Sequence, residues 1–247
     1  MESLADAAAV ASRACELWRR QARASVAARG VFRAALSGGR TPALLFERLA
    51  AAALPWKSTE LFWVDERYVP HGHAESNFAL ARELLLGRVP IPEAQVHPMP
   101  TGSGEPARDA AAYEALLRTV FAGRSWPGFD LCLLGLGEDG HTASLFPGGP
   151  ELVEKRRWVL ATRSPKGVAD RLSLSIPALV RSGLCLFLAC GTEKSAAFKA
   201  ALGRPAGPAS PARLVWSAAA RGVFLLDKQA AGGIPPGQGA GWAGFLS

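Results

Sequence analysis

Apolar residues recur along this chain at two spacings, and the spacing alternates. Leu4, Ala8, Ala11, Cys15, Trp18, Ala22 and Val26 return at steps of three or four, which predicts a first helix with one packed face. Residues 31–36 then read as a short apolar strand ending in Ser37-Gly38-Gly39. Residues 41–53 predict a helix, with Thr41 as N-cap and Pro42 in its first turn. Residues 60–64 form a second strand ending at Asp65, followed by a loop with His71 and His73. Ser76 caps a helix running to Leu86, residues 87–104 are a Pro/Gly-rich connection, and 106–122 are a helix.

The stretch 129–134 is apolar at nearly every position, as central parallel strands are. Residues 157–161 and 171–175 predict two further strands, 184–189 another buried one and 193–202 a helix. A loop over 203–211 and a last strand over 222–226, ending at Asp227, complete the pattern. The Gly-rich tail from about residue 231 is expected to be irregular. Strand, turn and helix in repetition predict an α/β fold, a mainly parallel sheet with helices on both faces. No internal repeat or linker divides the 247 residues, so a single domain is expected. Ligands of such sheets sit beyond the carboxyl ends of the strands. The clusters of small and ionisable residues lie there, at 37–41, 65–77 and 135–144.

Composition narrows the function classes. Hydrophobic residues at 49% and charged residues at 20% support a packed core and exclude a disordered chain. The formal net charge of +7 raises nucleic-acid binding, but its distribution argues against it. The longest basic run is Lys155-Arg156-Arg157, and no basic helix face or aromatic-basic repeat appears. Cys15, Cys132, Cys185 and Cys190 lack zinc or redox-motif spacing and read as buried thiols of a reducing compartment. No apolar stretch approaches the roughly 20 residues of a membrane span, and no secretion signal opens the chain, so the cytoplasm is expected.

Three constellations carry chemistry. In Ser37-Gly38-Gly39-Arg40-Thr41-Pro42, two glycines let the backbone turn tightly into a helix start, whose free N–H groups suit a phosphate or carboxylate; a plain tight turn is the alternative. Asp65-Glu66-Arg67 follows a strand end, where acidic residues serve a site or a loop rather than a strand. His71 and His73, at i and i+2 in a Gly/Pro loop with no third ligand at a known spacing, are discounted as metal ligands. Gly135-Leu136-Gly137-Glu138-Asp139-Gly140-His141-Thr142 matches a dinucleotide fingerprint only loosely, because no acid ends the next strand. It reads better as a Gly-rich elbow presenting His141, a general base by type, at the mouth of the sheet. Lys166 and Arg171 add cations before a strand. Lys194 opens a later helix, where the dipole opposes a cation and an anion nearby would compensate.

Taken in order, LSGGRTP (36–42), FWVDERYVPHGHAESN (62–77), FDLCLLGLGEDGHTASLFPG (129–148), SPKGVADRLSLSIPAL (164–179) and GTEK (191–194) resemble the 6-phosphogluconolactonase family. Gly167-Val168-Ala169-Asp170 departs from the proline run usual there. The resemblance implies a modified Rossmann-like, doubly wound fold, and hydrolysis of 6-phospho-D-glucono-1,5-lactone to 6-phosphogluconate in the oxidative pentose phosphate pathway. It implies no metal and no organic cofactor, and a small phosphosugar lactone as the partner; a monomer is expected.

On that reading His141 takes a proton from water, and Arg67 or backbone N–H groups of the 37–39 turn or the 137–140 elbow meet the oxyanion. Asp65 or Asp139 orients the imidazole. Arg40, Lys166 and Arg171, with Lys194 in reserve, hold the phosphate beside Ser37, Gly38 and Gly39. Two rivals remain: a glucosamine-6-phosphate isomerase/deaminase, which shares the Asp-Gly-His elbow, and a non-catalytic sugar-phosphate sensor, which would need a DNA-binding segment.

Overall fold

The computed structural model describes residues 1–202 and 209–232. Nearly all of the Gly-rich tail expected to be irregular lies outside the described residues, as do residues 203–208 of the expected loop. The chain runs β1 (Glu2–Leu4), α1 (Ala7–Arg29), β2 (Phe32–Leu36), α2 (Arg40–Ala50), β3 (Thr59–Trp63), β4 (Asp65–Arg67), α3 (Asn77–Leu84), α4 (Pro106–Val120), β5 (Leu131–Gly135) and β6 (Val159–Arg163). It continues through β7 (Asp170–Leu174), α5 (Ile176–Val180), β8 (Cys185–Ala189), α6 (Ser195–Leu202), α7 (Pro211–Ala218), β9 (Gly222–Asp227) and α8 (Lys228–Ala231). Among the described residues no helix is long and apolar enough to cross a membrane.

The main sheet has the order β1-β9-β8-β5-β2-β3, and every pairing is parallel. All five residues of β8 and the first four of β5 are buried. Successive side chains point to opposite faces, so both faces of these strands are covered. Trp18 of α1 packs edge-on against Phe32 of β2, at 5.3 Å between ring centres. The direction of winding reverses between β2 and β5: β3 is added on one side, β8 and β9 on the other. A crevice forms beyond the carboxyl ends of two strands whose connections part in this way. The 37–39 turn and the 136–141 elbow leave the sheet there.

Several local expectations are corrected. Leu4 belongs to the edge strand β1, paired with Asp227, and not to the first helix, which Asp6 caps by accepting the Ala9 N–H at 2.8 Å. Thr41 is not an N-cap. Gly39 takes that position at φ 108, which only glycine adopts readily, and no side chain caps α2. Residues 65–67 are a strand rather than a loop. β4, β7 and β6 form a second, antiparallel sheet, with Asp65 opposite Ser173 and Arg67 opposite Arg171. The two strands expected over 157–161 and 171–175 therefore do not join the parallel sheet. Helix α7 starts where the loop 203–211 was expected to end; Ser210 caps it and Pro211 opens it.

An acidic residue survives in β4 because its carboxylate is fully used. Glu66 is completely buried. Its Oε1 accepts the N–H groups of Arg67 at 2.8 Å and Asn77 at 2.7 Å; its Oε2 accepts the Phe78 N–H at 2.8 Å and the Ser76 hydroxyl at 3.1 Å. The carboxylate thus fastens the amino end of α3 to the second sheet. Glu66→Gln converts one of these oxygens into a donor facing donors. Urea unfolding should show a loss of about 1–3 kcal/mol; an unchanged midpoint would mean that the fourfold acceptor is dispensable.

Candidate active site

Every residue singled out from the sequence lines one cavity of about 720 Å³ in the crevice: Ser37, Gly38, Gly39, Arg40, Asp65, Arg67, Asp139, His141, Lys166, Arg171 and Lys194. The turn after β2 supplies its backbone floor. With no side chain capping α2, the first N–H groups of that helix are open to an anion. Gly38 is required by space, since a methyl there would overlap Asn77 Oδ1.

The elbow after β5 is braced from within. The Gly137 N–H donates to the His141 carbonyl at 2.8 Å, and the Gly140 N–H to the Gly137 carbonyl at 3.0 Å. Asp139 Oδ1 accepts the His141 N–H at 3.1 Å and lies 2.6 Å from the ring Nδ1. Of the two acids expected to orient the imidazole, Asp139 is therefore the one in contact. Burial alone would raise its carboxyl, but the His141 N–H and imidazole outweigh it and leave Asp139 below its ordinary value. Phe146 tilts against the ring at 5.0 Å. The elbow amides of Gly137, Gly140 and His141 are spent internally, which removes them as oxyanion donors. Next to the elbow, Ala143 is held at φ 48, a costly conformation for a residue with a Cβ, and it too lines the cavity.

Asp65 is buried and differently employed. Its Oδ2 accepts the Ser144 hydroxyl at 2.7 Å, and Asn77 Nδ2 donates to its carbonyl at 2.9 Å. Ser144 is held in turn by Ser173 and Thr162, so Asp65 ties the elbow to the second sheet.

The cations separate into two groups. Arg67 and Arg171 are direct cross-strand neighbours, a like-charge pairing that costs stability unless an anion is near. Arg171 is buried, with its Nε donating to the Val168 carbonyl at 2.8 Å. Burial, aided by Arg67, lowers its pKa from the ordinary guanidinium value. Arg67 Nη1 donates to the Glu75 carbonyl at 2.6 Å. Lys166, on the loop before β7, and Lys194, on the turn after β8, also line the cavity. Arg40, expected from the sequence to hold the phosphate, is ion-paired with Glu193 at 2.7 Å. His71 and His73 turn to structural tasks, against the Met99 carbonyl at 2.8 Å and the Glu75 N–H at 3.1 Å.

Asn77, Ser144, Phe146 and Glu193 also line the cavity without having been singled out. They stood inside or beside the motifs, but Ser144 and Glu193 reach Asp65 and Arg40, far away in sequence, and no spacing signals such contacts. Gly137 is required within the elbow, because a Cβ there would overlap the His141 ring. Gly137→Ala should therefore push the imidazole off Asp139. The downfield proton resonance expected of that Nδ1 contact should disappear, and its persistence would show that the ring has not moved.

A family model described as glucosamine-6-phosphate isomerases/6-phosphogluconolactonase matches residues 5–224. A relative from Synechocystis, named 6-phosphogluconolactonase, is 44% identical over 86% of this chain and 88% of that protein. One of the same name from Mycobacterium tuberculosis is 42% identical over 86% of this chain and 89% of its own. The solved structure of 6-phosphogluconolactonase from Trypanosoma cruzi superposes with a TM-score of 0.87 at 29% identity, covering 94% of this chain and 96% of that one. With the match running through β2, the elbow and the cationic wall, this chain belongs to the glucosamine-6-phosphate isomerase/6-phosphogluconolactonase family.

Proposed function

We propose that this chain hydrolyses 6-phospho-D-glucono-1,5-lactone to 6-phospho-D-gluconate, within the oxidative pentose phosphate pathway. The observation that carries this reading is His141, held by Asp139 at 2.6 Å in a cavity with cationic walls. The names of the relatives and the DGHTASLFPG segment favour the lactonase over the isomerase/deaminase branch.

A δ-lactone is an activated ester, so a positioned water is a sufficient nucleophile. With Nδ1 bonded to Asp139, Nε2 is the ring nitrogen left to take a proton from that water. Water oxygen bonds to the lactone carbonyl carbon, and the carbonyl becomes an oxyanion. Arg67, with guanidinium N–H groups beyond the one on Glu75, and the Gly38 and Gly39 amides are the donors assigned to it. Collapse of the intermediate breaks the ring C–O bond, and the imidazolium returns its proton to the departing oxygen. Arg40, Arg171 and Lys166, with Lys194 and the open N–H groups of α2, take the phosphate. The chemistry asks for no metal or organic cofactor. Four free cysteines support a cytoplasmic setting.

The direct test follows acid release from freshly made 6-phosphogluconolactone against its spontaneous hydrolysis. His141→Ala should lower kcat by about 10²–10⁴-fold; a change confined to KM would remove it as general base. Ammonia release from glucosamine 6-phosphate would instead establish the deaminase. Lys166→Ala should raise KM for the phosphorylated lactone by about tenfold, since an exposed charge-assisted contact is worth less than a dry one. An equal loss on the unphosphorylated lactone would show that Lys166 does not read the phosphate.

A further inference from the structure

Arg40 stands at the first helical position of α2, where the helix dipole disfavours a cation, and its side chain is 87% exposed. Its partner Glu193 comes from the turn after β8, 153 residues further along. β8 and β2 flank β5 in the sheet, so this pair bridges the carboxyl end of β5, from which the elbow bearing His141 emerges. Both residues line the cavity. The Glu193 carboxylate folds back over Gly191, where a Cβ would overlap it. Its own amide N–H and Arg40 hold it below the usual glutamate value, so it is an anion throughout the neutral range. An exposed pair between long side chains is weak and easily exchanged.

We propose that Glu193 is a specificity-determining residue. Its carboxylate takes the place beside Arg40 that the substrate phosphate requires, so that binding exchanges one anion for another. This rests on the lactonase reading for the identity of the incoming anion. Arg40 then becomes available only to a ligand whose charge outcompetes a carboxylate. A dianionic phosphate meets that condition, and the hydroxyl of an unphosphorylated sugar lactone does not.

Calorimetric titration of the full chain with inorganic phosphate tests the exchange without turnover. Glu193→Gln keeps the side-chain size and removes the competitor. The phosphate Kd should fall by about three- to tenfold at low ionic strength, with the gap closing as salt is added. Arg40→Gln should weaken phosphate binding more in the Glu193→Gln background than in the wild type, where Arg40 is already engaged. Unchanged or weaker phosphate binding by Glu193→Gln, or equal losses for Arg40→Gln in both backgrounds, would overturn the proposal. A wild-type protein that binds phosphate but leaves the lactone intact would end the lactonase reading and leave the exchange standing.

Discussion

Two neighbouring buried acids, one of them with its carboxylate completely hydrogen-bonded, hold this site together. Glu66, whose carboxylate takes four donors, and Asp65, whose carboxylate takes the Ser144 hydroxyl and whose backbone carbonyl takes Asn77, stand side by side in β4. Between them they connect the second sheet, the amino end of α3 and the elbow after β5. An ionised carboxylate out of water is costly unless its lone pairs are filled. The same requirement makes the arrangement specific, because moving any one of the three segments strands a buried charge. The loops around the cavity are thus fastened by polar contacts beneath them.

Above that scaffold the electrostatics are unbalanced in one direction. Arg67 faces Arg171 across adjacent strands, and Lys166 and Lys194 line the same cavity. Burial of Arg171 deepens the cost of holding these charges together. A sheet that brings guanidinium groups into register gives up stability that an anionic ligand restores. Asp139 has a separate role: it sets the tautomer and orientation of one imidazole. The elbow accommodates that contact through the missing Cβ at Gly137, and Ala143 carries backbone strain immediately downstream. The constraints fall where the chemistry is assigned, while the regular strands beneath are unstrained.

Much of this was legible from the chain itself. Parallel strands covered on both faces must be apolar throughout, and residues 131–134 and 185–189 are. Helix starts at Ser76 and Ser210 carry hydroxyl caps, although the second went unread because Ala and Pro on both sides mask its period. The cluster positions at strand ends followed from the alternation of periods, and every candidate residue does line the cavity. The second sheet was not legible. β4 is three residues long, two of them acidic, and its stability comes from partners more than a hundred residues away in β7.

The sequence by itself determined the α/β winding, the glycine turns and the single imidazole offered at the sheet's edge, because periodicity, positive φ and side-chain chemistry are local properties. Tertiary structure alone decided that Asp139 and not Asp65 contacts His141, that Arg67 and Arg171 oppose one another, and that Arg40 is held by Glu193. Those outcomes depend on strand register and on which loops meet over the crevice. Several segments settle these together by excluding water from one another, and no one of them encodes the result.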